Sequence, residues 1–223
     1  MVVARTAIAL GAVTHKLTLV LKDGKGNPTS GVVELLRSGQ FQPDFYTLAE
    51  TGRAELYLPD DEYSAMAFAD VQGTHGPHSL GMALLGNPDI SLDHNVEVDL
   101  DASTVRRVDA TTPQEARPTY ERLEYFRSMG GGSWRDFMET TGRYDSLWAQ
   151  PTATKVTHGD FYFAARWRKE QPVLSVATRT TDFSDVLRQL GTTQLPKGHW
   201  DLPVVAAGDG GSADYAGLKR SHS

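Results

Sequence analysis

Residues 17–36, LTLVLKDGKGNPTSGVVELL, carry the pattern of two β-strands joined by a reversing loop. Leucines alternate with Thr and Val through residue 21, and this period of two predicts a half-buried strand. The loop at 23–28 supplies the Gly, Asn and Pro that are typical of a turn. Gly31–Arg37 then has the composition of the returning strand, so the fold begins as antiparallel β structure.

Short alternating segments recur further along the chain. They are RAELYL at 53–58, YSAMAF at 63–68, VEVDL at 96–100 and DFYFAARW at 160–167. The one plausible helix is DFSDVLRQL at 182–190, where Asp182 or Ser184 is a candidate N-cap and Gly191 follows the last turn. We therefore predict a mainly β fold: an antiparallel β-sandwich of the transthyretin or immunoglobulin type and a second β-rich domain, with at most one or two short helices.

Turn and linker signals divide the chain into four parts. Residues 1–13 are a tail, either a weak signal peptide or an arbitrary start. Residues 14–103 form the β-sandwich and 104–200 the second β-rich domain, with TTPQEAR at 111–117 as a linker or crossing. Residues 201–223 begin an apolar pattern that has no cap or closing strand. We expect them to be the truncated start of a further unit, in a piece of a longer polypeptide.

Composition narrows the function classes. The chain has 223 residues, of which 39% are hydrophobic and 22% charged, as in an ordinary globular protein. A net charge of -6 with scattered basic residues argues against nucleic acid as a partner. The absence of cysteine excludes disulfides, zinc thiolates and a Cys nucleophile. No apolar run approaches the roughly 20 residues that span a bilayer, so no membrane partner is expected.

Three histidine segments are candidate sites of chemistry. HGPH at 75–78 has two histidines, but Gly and Pro between them favour an exposed loop over a metal site. HGD at 158–160 and HWD at 199–201 place a His near an Asp, as a general base and its orienting carboxylate would require. The sequence offers these pairs no activated nucleophile, because Ser133 follows a glycine run in an expected turn. We predict no catalytic residue.

Carboxylates form two groups. Asp99 and Asp101 share one strand face, and DDE at 60–62 lies in a turn. Both offer hard oxygen ligands, but neither has the spacing of a calcium loop. A solvated sheet face and ordinary turn chemistry explain them, so no metal and no cofactor are predicted.

Aromatic residues are the remaining candidates for binding. Alternation places Phe161 and Phe163 on one strand face, where we expect core packing, and Tyr162 on the other. Tyr162, Trp134 and Trp200 are therefore candidates for a surface that binds a sugar or a peptide.

The first two strand pairs carry a family resemblance. Residues 17–36, together with RAELYLPDDEYSAMAF at 53–68, resemble a carboxypeptidase-regulatory-like or transthyretin-like β-sandwich. In that fold a Gly usually precedes the aromatic residue after the turn. Here Asp61 and Glu62 replace this Gly before Tyr63, so the turn is altered while the aromatic residue is kept.

Longer segments resemble the region C-terminal to the protease domain of large secreted subtilisin-like serine peptidases of actinobacteria. These segments are ISLDHNVEVDLDAS at 90–103, YERLEYFRS at 120–128, QPTATKVTHGDFYFAARW at 150–167 and DLPVVAAGDGGSADYAGL at 201–218. The match ends at Leu218, and the catalytic motifs of such enzymes have no counterpart here. The resemblance implies a secreted, non-catalytic accessory region that stabilises the protease domain or presents a protein or polysaccharide substrate. Two alternatives remain: an independent carbohydrate- or surface-binding sandwich, and a hydrolase or metalloenzyme built on the His-Asp pairs.

Overall fold

The structure is a computed structural model of the chain. It describes residues 13–114, 116–140, 142–152, 155–171, 174–177, 182–185, 196 and 198–201, with the backbone alone at 117, 174–177 and 182–185. The chain forms two units, Met1–Leu187 and Arg188–Ser223. All strands of the structure belong to the first unit. Apart from Asp201, the predicted further unit at 201–223 lies outside the described residues, as does the predicted tail except Val13.

Fourteen strands and one short 3-10 helix make up the described structure. In chain order the strands are β1 (Thr14–Lys22), β2 (Gly31–Arg37), β3 (Asp44–Leu48), β4 (Arg53–Pro59), β5 (Glu62–Gln72), β6 (Leu80–Ser91), β7 (Val96–Asp101), β8 (Arg106–Val108), β9 (Arg117–Met129), β10 (Gly132–Thr140), β11 (Tyr144–Ala149), β12 (Asp160–Glu170), β13 (Leu174–Ala177) and β14 (Asp182–Asp185). The 3-10 helix is Ala102–Thr104, capped by the side chain of Asp101. The fold is mainly β, which confirms the sequence prediction.

Three sheets are stacked in layers. The back sheet has the strand order β4-β1-β7, the central sheet β3-β2-β5-β6-β11-β8 and the front sheet β10-β9-β12, while β13 and β14 form a separate pair. Most neighbours are antiparallel, but β1 pairs with β7 and β6 with β11 in parallel. The back and central sheets are therefore mixed, because each contains one parallel pair of strands that lie far apart in the sequence.

Alternation along the central sheet supplies both cores. Val33, Leu35 and Leu85 point to the back sheet and form the first core with the β1 leucines. Met66 and Leu84 point the other way and form the second core with the front sheet. A strand that is buried on both faces loses the apolar and polar alternation of an edge strand, which is why β5 and β6 have continuous apolar runs.

The central sheet contains strands from both sides of the predicted domain boundary after Ser103. Strands β8 and β11 come from the segment assigned to the second domain, yet they pair with each other, and β11 pairs with β6. Strands β9, β10 and β12 of the same segment form the front sheet, which is a separate layer. The predicted linker or crossing at 111–117 lies between β8 and the start of β9.

The predicted helix at 182–190 is wrong at its start. Asp182–Asp185 is a strand that pairs with Leu174–Ala177, and residues 186–190 lie outside the described part. Hairpin pairing with a neighbouring segment here overrides a helical spacing of apolar residues. The described part of the chain contains no helix long and apolar enough to cross a membrane.

Candidate functional site

A buried acid lies between the central and front sheets. Glu34 is in the middle of β2, and its register places it beside Phe45 of β3 and Met66 of β5. Only 6% of Glu34 is exposed. Because Val33 and Leu35 face the first core, Glu34 faces the front sheet, in a strand that is otherwise almost wholly apolar.

Two donors from the front sheet hold the Glu34 carboxylate. The Tyr125 hydroxyl donates to Oε2 at 2.5 Å, and the Trp134 Nε1-H donates to the same oxygen at 3.0 Å. Tyr125 is on β9 and Trp134 on β10, so one oxygen of Glu34 links the central sheet to two strands of the front sheet. Loss of either hydrogen bond would leave a polar group without a partner at the layer interface, so this contact helps to align the sheets.

The front sheet also brings a second carboxyl group to Glu34. Asp136 lies opposite Tyr125 in the β9-β10 register, on the same face. Burial and, after it, hydrogen bonding to the Asp136 carboxyl raise the pKa of Glu34 to about 7, while the Tyr125 hydrogen bond opposes the shift. Burial and the nearby Glu34 charge raise the pKa of Tyr125 as well. The neutral form of Glu34 is therefore favoured at the layer interface.

Apolar side chains beside this pair are exposed. Val32 shares the strand face of Glu34, and Met138 shares the face of Asp136, yet they are 44% and 42% exposed. Phe45, next to Glu34, is 54% exposed. The edge strands β3 and β10 therefore carry exposed apolar side chains beside the two carboxyl groups. We call this group of residues the acid cleft: Val32, Glu34, Phe45, Asp136 and Met138.

No basic side chain neutralises the acid cleft within the described part of the chain. The ion pairs found there, with nitrogen and oxygen within 4.0 Å, include neither Glu34 nor Asp136. A buried acid without a basic partner costs folding free energy and is typical of a functional position. The cleft can accept a cation from outside.

His75, in the HGPH segment at 75–78, lies beside an acid that no local sequence pattern indicated. His75 Nδ1 lies 3.2 Å from Asp145 Oδ2, at the start of β11. Asp145 also accepts hydrogen bonds from the amides of Thr74 and His75 and from the Ser146 hydroxyl. Although desolvation opposes the shift, these donors lower the pKa of Asp145 to about 2. The carboxylate therefore fastens the β5-β6 loop.

His158 lies in a group with Glu62 and Asp89 whose ligand atoms are all within 4.8 Å of one another. Both Asp89 oxygens are already engaged: Arg127 Nη2 donates to Oδ1 at 2.9 Å, and Thr157 donates to Oδ2 through its amide and hydroxyl. A buried guanidinium beside the group opposes a cation by charge repulsion. The arrangement is a structural network rather than a metal centre.

The remaining polar candidates lie in ordinary structural contacts. Asp99 and Asp101 pair with Lys22, and Asp61 pairs with Arg37. Ser133 lies in strand β10, opposite Ser128 of β9, and not in the turn that was expected. His199, in the second unit, is exposed.

The predicted surface aromatics divide into two kinds. Trp134 packs against the second core and donates to Glu34, so its ring belongs to the layer interface. Tyr162 is 62% exposed on the outer face of the front sheet, with its ring centroid 5.9 Å from that of Phe126. Trp200 is exposed in the second unit. Phe161 and Phe163 pack in the second core, which confirms the alternation argument.

Arginines surround one acid on that same outer face. Arg135 and Arg166 each donate to Glu124 at 2.7 Å, and Arg122 Nη2 also contacts it. The hydrogen bonds from Arg166 lower the pKa of Glu124 to about 2, against the effect of desolvation. Arg122 in addition lies 3.8 Å from the centre of the Phe137 ring. This face combines exposed aromatic rings with guanidinium donors.

Comparisons with known proteins add little. No family model matches the chain, and no curated protein matches its sequence. Among solved structures, a DUF3823 family protein from Parabacteroides merdae matches with a TM-score of 0.30 and 12% identity, over 70% of this chain and 81% of that one. Function must therefore be argued from the residues themselves.

Proposed function

We propose that the chain is a non-catalytic β region of a secreted subtilisin-like serine peptidase, where it stabilises the protease domain or presents a substrate. The observation that carries this proposal is the role of the His-acid pairs. Asp145 fastens a loop through backbone amides, and Asp89 engages Arg127 and Thr157. Carboxylates used in this way orient backbone rather than a general base. The link to a peptidase comes from the segment resemblance alone.

A serine-reactive fluorophosphonate probe tests the non-catalytic part of this proposal. We expect no labelling of the folded chain and no turnover of casein, and Ser133→Ala should behave as the unaltered chain. Stoichiometric labelling that Ser133→Ala removes would overturn the proposal. The peptidase link is tested by reading the gene on both sides of this segment. An in-frame catalytic segment is expected, and reading frames without one would remove the link.

A second candidate function is binding of carbohydrate through the outer face of the front sheet. The observation that favours it is the exposed Tyr162, which packs on the half-buried Phe126, on the sheet face that also carries Arg135 and Arg166. Aromatic faces stack on sugar rings, and guanidinium groups donate hydrogen bonds to hydroxyl or carboxylate oxygens. A flat sheet face suits an extended polysaccharide better than a small molecule.

Affinity electrophoresis in gels that contain acidic or neutral polysaccharides tests this candidate. If the face binds sugar, the chain is retarded, and Tyr162→Ala removes most of the retardation, for an affinity loss of about tenfold. Tyr57→Ala is the matched control, because Tyr57 is 66% exposed on the edge strand of the back sheet. Equal retardation of both variants, or none at all, would count against the candidate.

A further inference from the structure

We propose that the acid cleft binds a basic side chain, lysine or arginine, of an extended protein segment that lies along the edges of β3 and β10. This goes beyond the proposed function, because it is argued from the cleft itself and holds whichever protein supplies the segment. The occupant follows from the charge, the walls and the edges of the cleft.

Charge complementarity is the first step. Two carboxyl groups, Glu34 and Asp136, lie together here, and the ion pairs of the described residues leave both acids out. The groups that face Glu34 are Tyr125 from β9 and Asp136 from β10, with apolar Phe45 and Met66 beside it. A cation is the ligand that this set lacks. Placed there, it would favour the ionised form of Glu34, because the carboxylate would gain an opposite charge.

The walls of the cleft specify what must carry the cation. Val32, Phe45 and Met138 are exposed apolar side chains at its mouth. A lysine or arginine has an aliphatic stem that packs on such walls while its charged end reaches the acids. A hydrated metal ion would gain nothing from these apolar side chains, and only two carboxyl groups face it.

The edges specify how the rest of the occupant is held. In the described structure β3 pairs only with β2, and β10 only with β9, so each has a free row of backbone donors and acceptors. An extended segment can pair with such an edge and project alternate side chains to one side. One of these side chains would then enter the cleft, beside Phe45 or Met138.

The test uses the whole chain and a short acetylated, amidated peptide, Val-Thr-Lys-Thr-Val. Its analogue with norleucine in place of Lys keeps the stem and removes the charge. Binding is followed by the NMR signal of the Trp134 indole N-H, because this group donates to Glu34. We expect the lysine peptide to shift this signal and the norleucine peptide to bind at least about tenfold more weakly. Affinity for the lysine peptide should rise with pH, because the bound cation favours the ionised form of Glu34.

Variants and a free amine complete the test. Glu34→Gln and the more accessible Asp136→Asn should each weaken the lysine peptide about tenfold or more, so a folding defect in one leaves the other as a test. Glu97→Gln, on the outer face of the back sheet, is the matched control and should have no effect. Equal binding of both peptides, binding that survives both variants, or no binding would each overturn the proposal. If n-butylammonium binds as tightly as the peptide, the cleft takes free amines and the protein partner is rejected.

Discussion

Replacing Arg127 with Met is expected to lower the free energy of unfolding by about 3–5 kcal/mol, since it leaves the half-buried Asp89 without its charged partner and removes the hydrogen bonds of a buried guanidinium. The Arg127 side chain is 0% exposed. It donates to the carbonyl of Pro88 at 2.6 Å, to the carbonyls of Ser128 and His158, and to Asp89. One guanidinium therefore joins the front sheet to β6 of the central sheet and to the loop before β12.

Urea denaturation followed by tryptophan fluorescence measures this loss. Arg168→Met is the matched control, because Arg168 is 70% exposed and pairs only with exposed groups; its change should stay below about 1 kcal/mol. Arg127→Met should lower the free energy of unfolding by less in a chain that also carries Asp89→Asn, because the unpaired charge has been removed. A loss for Arg127→Met no larger than that of the control would show that the network contributes little to stability.

Local patterns predicted much of this fold because the strands alternate in the ordinary way. The period of two in β1 and in β12 gave correct strands and correct faces, with Phe161 inside and Tyr162 outside. These patterns could not predict the stacking of three sheets, because the sheets depend on parallel pairing between strands far apart in the chain. Continuous apolar runs in β5 and β6 were the available sign of a sheet buried on both faces.

The acid cleft was missed for a related reason. A Glu flanked by valines and leucines in β2 was the one local signal, because a charged residue in such a strand needs a partner or a task. Its partners Tyr125, Trp134 and Asp136 come from strands that follow much later, so no spacing in the sequence could bring them together. The same limit hid Asp145, which meets His75 only when β11 joins the central sheet.

Glu34 should make the chain lose stability as the pH rises from about 4.5 to above 7. The pKa of Glu34 is raised from 4.5 to about 7 in the folded chain, chiefly by burial. The folded chain therefore holds a proton that the unfolded chain releases. The stabilising contribution is complete below the unfolded pKa and is lost as the pH rises through the folded one. The expected loss is about 1–3 kcal/mol, because a pKa change of this size corresponds to about 3 kcal/mol at its full value.

Glu34→Gln isolates this contribution. The Gln amide oxygen can accept from Tyr125 and Trp134, and its NH2 can donate to Asp136, so the contacts of the protonated acid are kept. Near pH 5 the variant should match the unaltered chain within about 1 kcal/mol, and at pH 8 it should be more stable by about 1–3 kcal/mol. Urea denaturation at both pH values measures the difference.

Other titrating groups cancel in that difference. Burial raises the pKa of Glu121 as well, but Glu121 is present in both chains, as are the histidines. Asp145 and Glu124, whose pKa values are about 2, change charge below this window. If the two chains lose stability in parallel between pH 5 and 8, Glu34 is ionised at little cost. Its charge would then be satisfied inside the fold, and the cleft would have no need of an external cation. If the Glu34→Gln chain is instead more stable at high pH, ionisation of Glu34 lowers the stability of the folded chain. A basic side chain that enters the cleft would then restore the same free energy.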